Sequence, residues 1–357
     1  MKIYNLGFLK YFFAQFINKV MLISIACSLL MSLSVTIFCA TGSDADAVDP
    51  AKILGLKACI ECHGHEVQKP AWEKSAHFKT FVELPRSAKS KEMCEKLGIR
   101  MIRRDPLCQR CHFTVKLVRG KPRAISGISC ESCHGAARDW IDIHNKISES
   151  KNPEEKEKNM AESEKNGLIL PRRSVYQAAK ECFECHIVRE EKLVNEVEHP
   201  AGSDIELVAW TLGEVRHNLL YTEGKENAEE STELKRVMYV VGRMVDLEFS
   251  LRGLAMATTN GNYVDAMEKR LKNARSKIVE IDEKMSIEEV KTTLDVIGSV
   301  ELKSDNESTL IKVADKIADA AQRFSKGRDG TKLGAIDVLV PSKEKYKGEV
   351  YDPKKGG

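Results

Sequence analysis

CIECH, at residues 59–63, places two cysteines three apart and a histidine directly after the second. The arrangement returns as CQRCH at 108–112, CESCH at 130–134 and CFECH at 182–186. Two chemistries use such closely spaced Cys and His: tetrahedral zinc sites and covalent haem attachment. Zinc has no need of histidine in the very next position. Haem attachment does, because the turn that offers both thiols to the porphyrin vinyl groups also brings the following imidazole under the iron as its proximal ligand. With eleven Cys and nine His in 357 residues, composition alone would produce roughly 0.01 such pentads. The reading is therefore four covalently bound haem c groups (iron). Their thiols are Cys59 and Cys62, Cys108 and Cys111, Cys130 and Cys133, Cys182 and Cys185, and their proximal ligands are His63, His112, His134 and His186.

The start of the chain agrees with this chemistry. Lys2, Lys10 and Lys19 precede an uncharged apolar stretch from Met21 to Ala40, followed by small residues at Ala40 and Gly42, and at Ala45 and Ala47. This is the layout of an export signal, and the small residues favour cleavage. The stretch is also just long enough to span a bilayer, so retention would leave a membrane anchor. Export to the periplasm or another extracytoplasmic compartment suits thiols that take up haem outside the cytoplasm. Eight cysteines are used by the motifs and Cys27 and Cys39 lie in the signal, which leaves Cys94 as the lone spare thiol.

The motifs end before residue 190, and no similar pattern follows. Four segments are expected: a signal peptide or anchor at 1–47, a tetrahaem cytochrome c domain at 48–228, a helical bundle at 229–325 and a mobile or surface-draped tail at 326–357. Aromatic content is only 6%, a thin supply for an ordinary core, and porphyrins replace part of it with their own apolar faces. Without haem, the first region is not expected to fold. From Leu234 onward the apolar residues step by three and four: Val237, Val240, Met244, Leu247, Leu251 and Leu254, then Val264, Met267, Leu271, Ala274, Ile278 and Ile281. A turn at Asn260 to Asn262 separates these helices, and Ser286 with Glu289 reads as a capping box for a third. The fold class is mainly α: a multihaem cytochrome c domain with little regular sheet, followed by a haem-free antiparallel bundle. The formal charge of +3, without a strongly basic domain, excludes nucleic acid as a partner.

Each iron has a sixth position, and five histidines remain to fill four of them. His65 is too close to His63 to serve the same iron and reads as a surface residue. His77 ends WEKSAH on a helix that Pro70 can open, and His144 stands one turn after Trp140. In EHPAGSDIELVAWTLGEVRHN, Asp204 is expected to cap a helix that sets Trp210, Gly213 and His217 on one face, with Gly213 clearing room for a flat ring. His199, in the turn before it, is the other candidate.

KACIECH followed by WEKSAH, CESCHG with a histidine ten residues past the proximal one, and the order of the four motifs together resemble the tetrahaem cytochrome c-554 family over residues 55–220. The bundle is not part of that family's pattern. The resemblance implies haems packed in close pairs, and redox partners such as hydroxylamine oxidoreductase. It also implies His144 as ligand to the His63 haem, His77 to the His134 haem, and His217 or His199 to the His186 haem, with the His112 haem left five-coordinate. The expected function is electron transfer between redox proteins in respiratory nitrogen metabolism. The alternative is a multihaem reductase acting on a small nitrogen species such as nitric oxide at the open His112 haem. The bundle is a candidate surface for oligomerisation.

Overall fold

The computed structural model describes residues 48–63, 68–304 and 306–355. The apolar segment from Met21 to Ala40 and His65 lie outside the described residues. The fold is mainly α, as the sequence leads one to expect. Short helices α1 (Leu56–Ile60), α2 (Lys69–Lys74), α3 (Ala76–Glu83), α4 (Ala88–Lys96) and α5 (Pro106–His112) lead to a hairpin of β1 (Thr114–Val118) and β2 (Lys121–Ser126). That hairpin is the one sheet among the described residues, antiparallel with Val118 opposite Lys121. Its two-residue turn places Arg119 at φ 52° and Gly120 at φ 72°, the pair of left-handed conformations that matches strand twist in a tight hairpin.

After the hairpin come α6 (Cys130–His134), α7 (Ile141–Glu149), α8 (Pro153–Lys165), α9 (Val175–His186), α10 (Glu191–Val197) and α11 (Leu207–Thr211). The charged stretch around α8 forms an exposed helix, capped by Asn152, which accepts from the Glu154 amide at 2.9 Å. The helix expected to run from Pro70 through His77 breaks at Ser75, whose backbone turns extended and whose hydroxyl caps α3 instead.

The bundle comprises α12 (Thr232–Ala255), α13 (Asn262–Lys284), α14 (Glu288–Gly298) and α15 (Glu307–Gly327). Ser231 opens α12 by accepting from the Leu234 amide. The predicted stripe Val237, Val240, Met244, Leu247, Leu251 and Leu254 is buried, and so are residues on the other faces. A helix apolar nearly all round belongs at the centre of a layer, and α12 indeed packs against α9, α11, α13 and α15. The core runs without a break from Val175 in α9 into the bundle, with the Phe183 and Phe249 rings 6.5 Å apart. Residues 48–357 accordingly form one compact unit, and residues 228 and 229 mark a change of composition with no gap in packing. Ser286 does not cap α14; Ile287 stands at that position with no side-chain bond to the helix.

The final segment is draped and fastened. Arg236 grips Asp337 through two hydrogen bonds of 2.6 and 2.7 Å. The Lys347 amide donates to the Ala209 carbonyl, and the Lys347 carbonyl accepts from the Glu214 amide. Tyr351 closes a small cluster with Ala71 and Leu219.

Candidate haem-binding site

All four pentads occupy a helical turn. Residues three apart on a helix share a side, so Cys59 and Cys62, or Cys182 and Cys185, are brought to one edge, and the next residue ends the turn. Termination follows each histidine of α5, α6 and α9: Phe113 and Ile187 are extended, and Gly135 sits at φ 83°.

Each proximal histidine faces one other histidine. Ring centres are 6.0 Å apart for His63 and His144, 6.2 Å for His112 and His199, 5.9 Å for His134 and His217, and 6.1 Å for His186 and His77. Two imidazole nitrogens on opposite sides of one metal, each about 2 Å from it, put their ring centres about 6 Å apart. The four spacings fit an iron held between each pair, and the interplanar angles are unconstrained because each ring turns freely about its bond to the metal.

Hydrogen bonds select the ligating nitrogen. Nδ1 of His134 donates to the Ile169 carbonyl at 2.9 Å, Nδ1 of His199 to the Pro200 carbonyl at 2.8 Å, and Nδ1 of His217 to the Val215 carbonyl at 2.7 Å. Nδ1 of His186 is bonded to Ser203 Oγ at 2.9 Å. The bonds to carbonyls fix the tautomer and leave Nε2 with its lone pair. Burial pushes His112, His134 and His186 down to about 4, and lowers His63, His77 and His144 as well. These rings are neutral at pH 7, the form a metal requires. Among the described residues, Trp140 Nε1 and His144 Nδ1 are buried with no partner, a rare condition that a polar cofactor beside them would explain.

The pairing differs from the expected one in three of four cases. His144 stands opposite His63, as anticipated. His77, however, meets His186, and His217 meets His134. The reason is that α11 stops at Thr211, capped by Glu206 and not by Asp204, where the final segment crosses it. A Cβ on Gly213 would sit 2.0 Å from the Lys347 carbonyl oxygen, so this glycine admits the returning chain. Trp210 and His217 then part: Trp210 lies edge-on to His186 at 4.9 Å, while His217 continues to His134. His112, expected to face no histidine, has His199 opposite it. A left-handed residue, Glu198 at φ 57°, ends α10 and swings His199 across to it.

Side chains inside the pentads lock the motifs in two couples, a role that their charge hid in the sequence. Glu131 of CESCH is 1% exposed and accepts from the amides of Leu54, Gly55 and Ala137 at 2.9, 2.7 and 2.9 Å, tying the third motif to the approach of the first. Arg110 of CQRCH pairs with Glu184 of CFECH at 3.7 Å and with Glu190 at 3.4 Å, tying the second to the fourth. The cysteines follow suit: Cys59 lies beside Cys130, and Cys111 beside Cys185. Before haem is attached, burial holds the free thiols of Cys182 and Cys108 up at about 12, so both await the porphyrin in the protonated form. Cys133 and Cys182 lie close enough to interact. The four motifs thus stand in the spatial order first, third, fourth, second.

Residues 58–135 match the family described as cytochrome c554 and c-prime. The chain carries a cytochrome c-554 family segment. A relative, cytochrome c-554 of Nitrosomonas europaea, is 28% identical over 182 residues, covering 47% of this chain and 69% of its own length. No solved structure shows a significant match. The likeness supports a c-type cytochrome with covalently bound haem c. The match to the family model ends at residue 135, so the fourth motif, three of the four distal histidines and the bundle lie beyond that model.

Proposed function

We propose that the protein is an exported carrier of four haem c groups, each held between two histidines, that passes electrons between redox proteins of respiratory nitrogen metabolism. The observation that carries the reading is the set of four histidine pairs at a spacing that suits an iron. Haem c bound at these positions supplies reversible one-electron chemistry. The chain's own residues contribute neutral ligands of fixed tautomer, charged locks between motifs, and aromatic walls at Trp140 and Trp210. A reductase needs an iron with a free position, and His199 beside His112 argues for the carrier. The setting in nitrogen metabolism rests on the family resemblance. Export rests on the segment from Met21 to Ala40; among the described residues, no helix is long and apolar enough to cross a membrane.

Mass spectrometry of the purified protein should find four haems and no residues before about Val48, and electron paramagnetic resonance of the oxidised form should show only low-spin iron. His77→Ala, His144→Ala, His199→Ala and His217→Ala should each convert one haem of four to high spin without detaching it, since both thioethers and the proximal ligand remain. A high-spin haem in the unaltered protein that turns over nitric oxide repeatedly would overturn the carrier reading in favour of a reductase.

A further inference from the structure

His199 lies in no helix or strand. It follows the left-handed Glu198, and its imidazole donates to its neighbour's carbonyl at Pro200. A loop histidine of this kind needs its flanks fixed from outside if it is to stay within reach of His112, and both flanks are fixed by the bundle. On one side, the Glu191 carboxylate at the start of α10 accepts four hydrogen bonds from the turn between α12 and α13. They come from the Thr258 amide at 2.7 Å, the Thr258 hydroxyl at 2.8 Å, the Thr259 amide at 3.0 Å and the Thr259 hydroxyl. One turn later Asn195 accepts from the Tyr263 amide at 3.0 Å, and Val194 is buried in the bundle core. On the other side, Arg270 of α13 donates to the Ser203 carbonyl at 2.7 Å and is itself held by Asp246 of α12 at 2.7 Å. The segment from 199 to 203 is therefore a strap whose two flanks are fastened to a region with no haem motif, while its backbone also bonds to His186 and Val188 at the exit of the fourth motif.

We propose that the bundle is a coordination clamp: through Glu191 on the α12–α13 turn it keeps His199 on the His112 iron, and release of that turn opens this one haem to small diatomic ligands. Glu191 is a positioning residue, acting through α10 on the ligand that follows it. The proposal rests on the ligand assignment made above. A carboxylate with four donors from one turn is an anchor, because each bond to a charged acceptor is about twice as strong as a neutral one. The turn is exposed at Thr258 and Thr259, so the fastening sits on the surface while its effect is felt at the haem.

The test uses the full haem-loaded protein, with carbon monoxide as probe of the reduced form. The unaltered protein should bind none. Glu191→Ala should bind up to one equivalent per four haems and show one high-spin signal, with haem content unchanged. His199→Ala should bind one equivalent, and the double variant should also bind one, since both changes act on the same iron. Thr258→Val with Thr259→Val removes two of the four donors and should bind a measurable fraction even where Glu191→Ala is produced too poorly to study. Four low-spin haems and no carbon monoxide binding in either clamp variant, with His199→Ala open, would overturn the clamp alone. Two equivalents in the double variant would do the same, by showing that Glu191 acts on a different haem. Four low-spin haems in His199→Ala would overturn the ligand assignment itself.

Discussion

Protein made without haem, with the eight motif cysteines replaced by serine, should keep a folded bundle and lose ordered structure across residues 48–170. The large apolar core begins at Val175 and runs through α9, α11 and the bundle to Ile336. Before it there are only small clusters, of which the chief one is Ala137, Trp140 and Leu168, with Ile53 and Phe113 buried apart. At roughly 25 cal/mol per Å² of buried apolar area, so few side chains cannot offset a backbone entropy cost of about 1–2 kcal/mol for every residue ordered. Four porphyrins, each gripped by two thioethers and two imidazoles, would supply the missing surface. Hydrogen exchange followed by mass spectrometry reads the outcome directly. Amides in α12, α13 and α15 should stay protected while those in α1 to α7 exchange at rates near those of an unfolded chain. Protection persisting in both halves would show that the polypeptide alone holds the haem region.

Glu131→Ala should be the most damaging single change in the haem region outside the ligands. It leaves the amides of Leu54, Gly55 and Ala137 without an acceptor in a place where the carboxylate itself is 1% exposed. Each stranded buried donor costs about 1–3 kcal/mol, so a loss of at least about 3 kcal/mol in denaturant unfolding of the haem-loaded protein is expected. Glu131→Gln should lose less. Its remaining oxygen can keep Leu54 and Ala137, whereas its NH2 faces the Gly55 amide, donor against donor. A loss under about 1 kcal/mol for Glu131→Ala would mean that water enters and takes over all three amides.

What could be read from the sequence was what spacing encodes. The pentads are local, so their thiols and proximal histidines are legible at once. The stripes from Val237 to Leu254 and from Val264 to Ile281 are periodic, and they became α12 and α13 within a residue or two. Distal partnership is a long-range matter. His77 and His186 are 109 positions apart, and nothing in either neighbourhood names the other. The error at His217 came from treating Trp210, Gly213 and His217 as one helical face. The helix ends early because Lys347, far along the chain, occupies the space beside Gly213. Burial of charge was equally hidden: Glu131, Arg110 and Glu184 lie between motif cysteines, where their charge suggests exposure. Only the fold shows that they join one motif to another.

The contact of Tyr351 with Ala71 and Leu219 has a bearing on the order of assembly. Chains are made from the N-terminus, so the piece that completes this cluster is synthesised after all four motifs. Asn227, 6% exposed, waits for the Tyr351 carbonyl as an acceptor for its own amide, at 3.1 Å. Until then α2, next to the first motif, and the segment bearing His217 lack their cover. The segment around Tyr351 is thus a seal that follows its contents in chain order, so a motif can be loaded before this cover is in place.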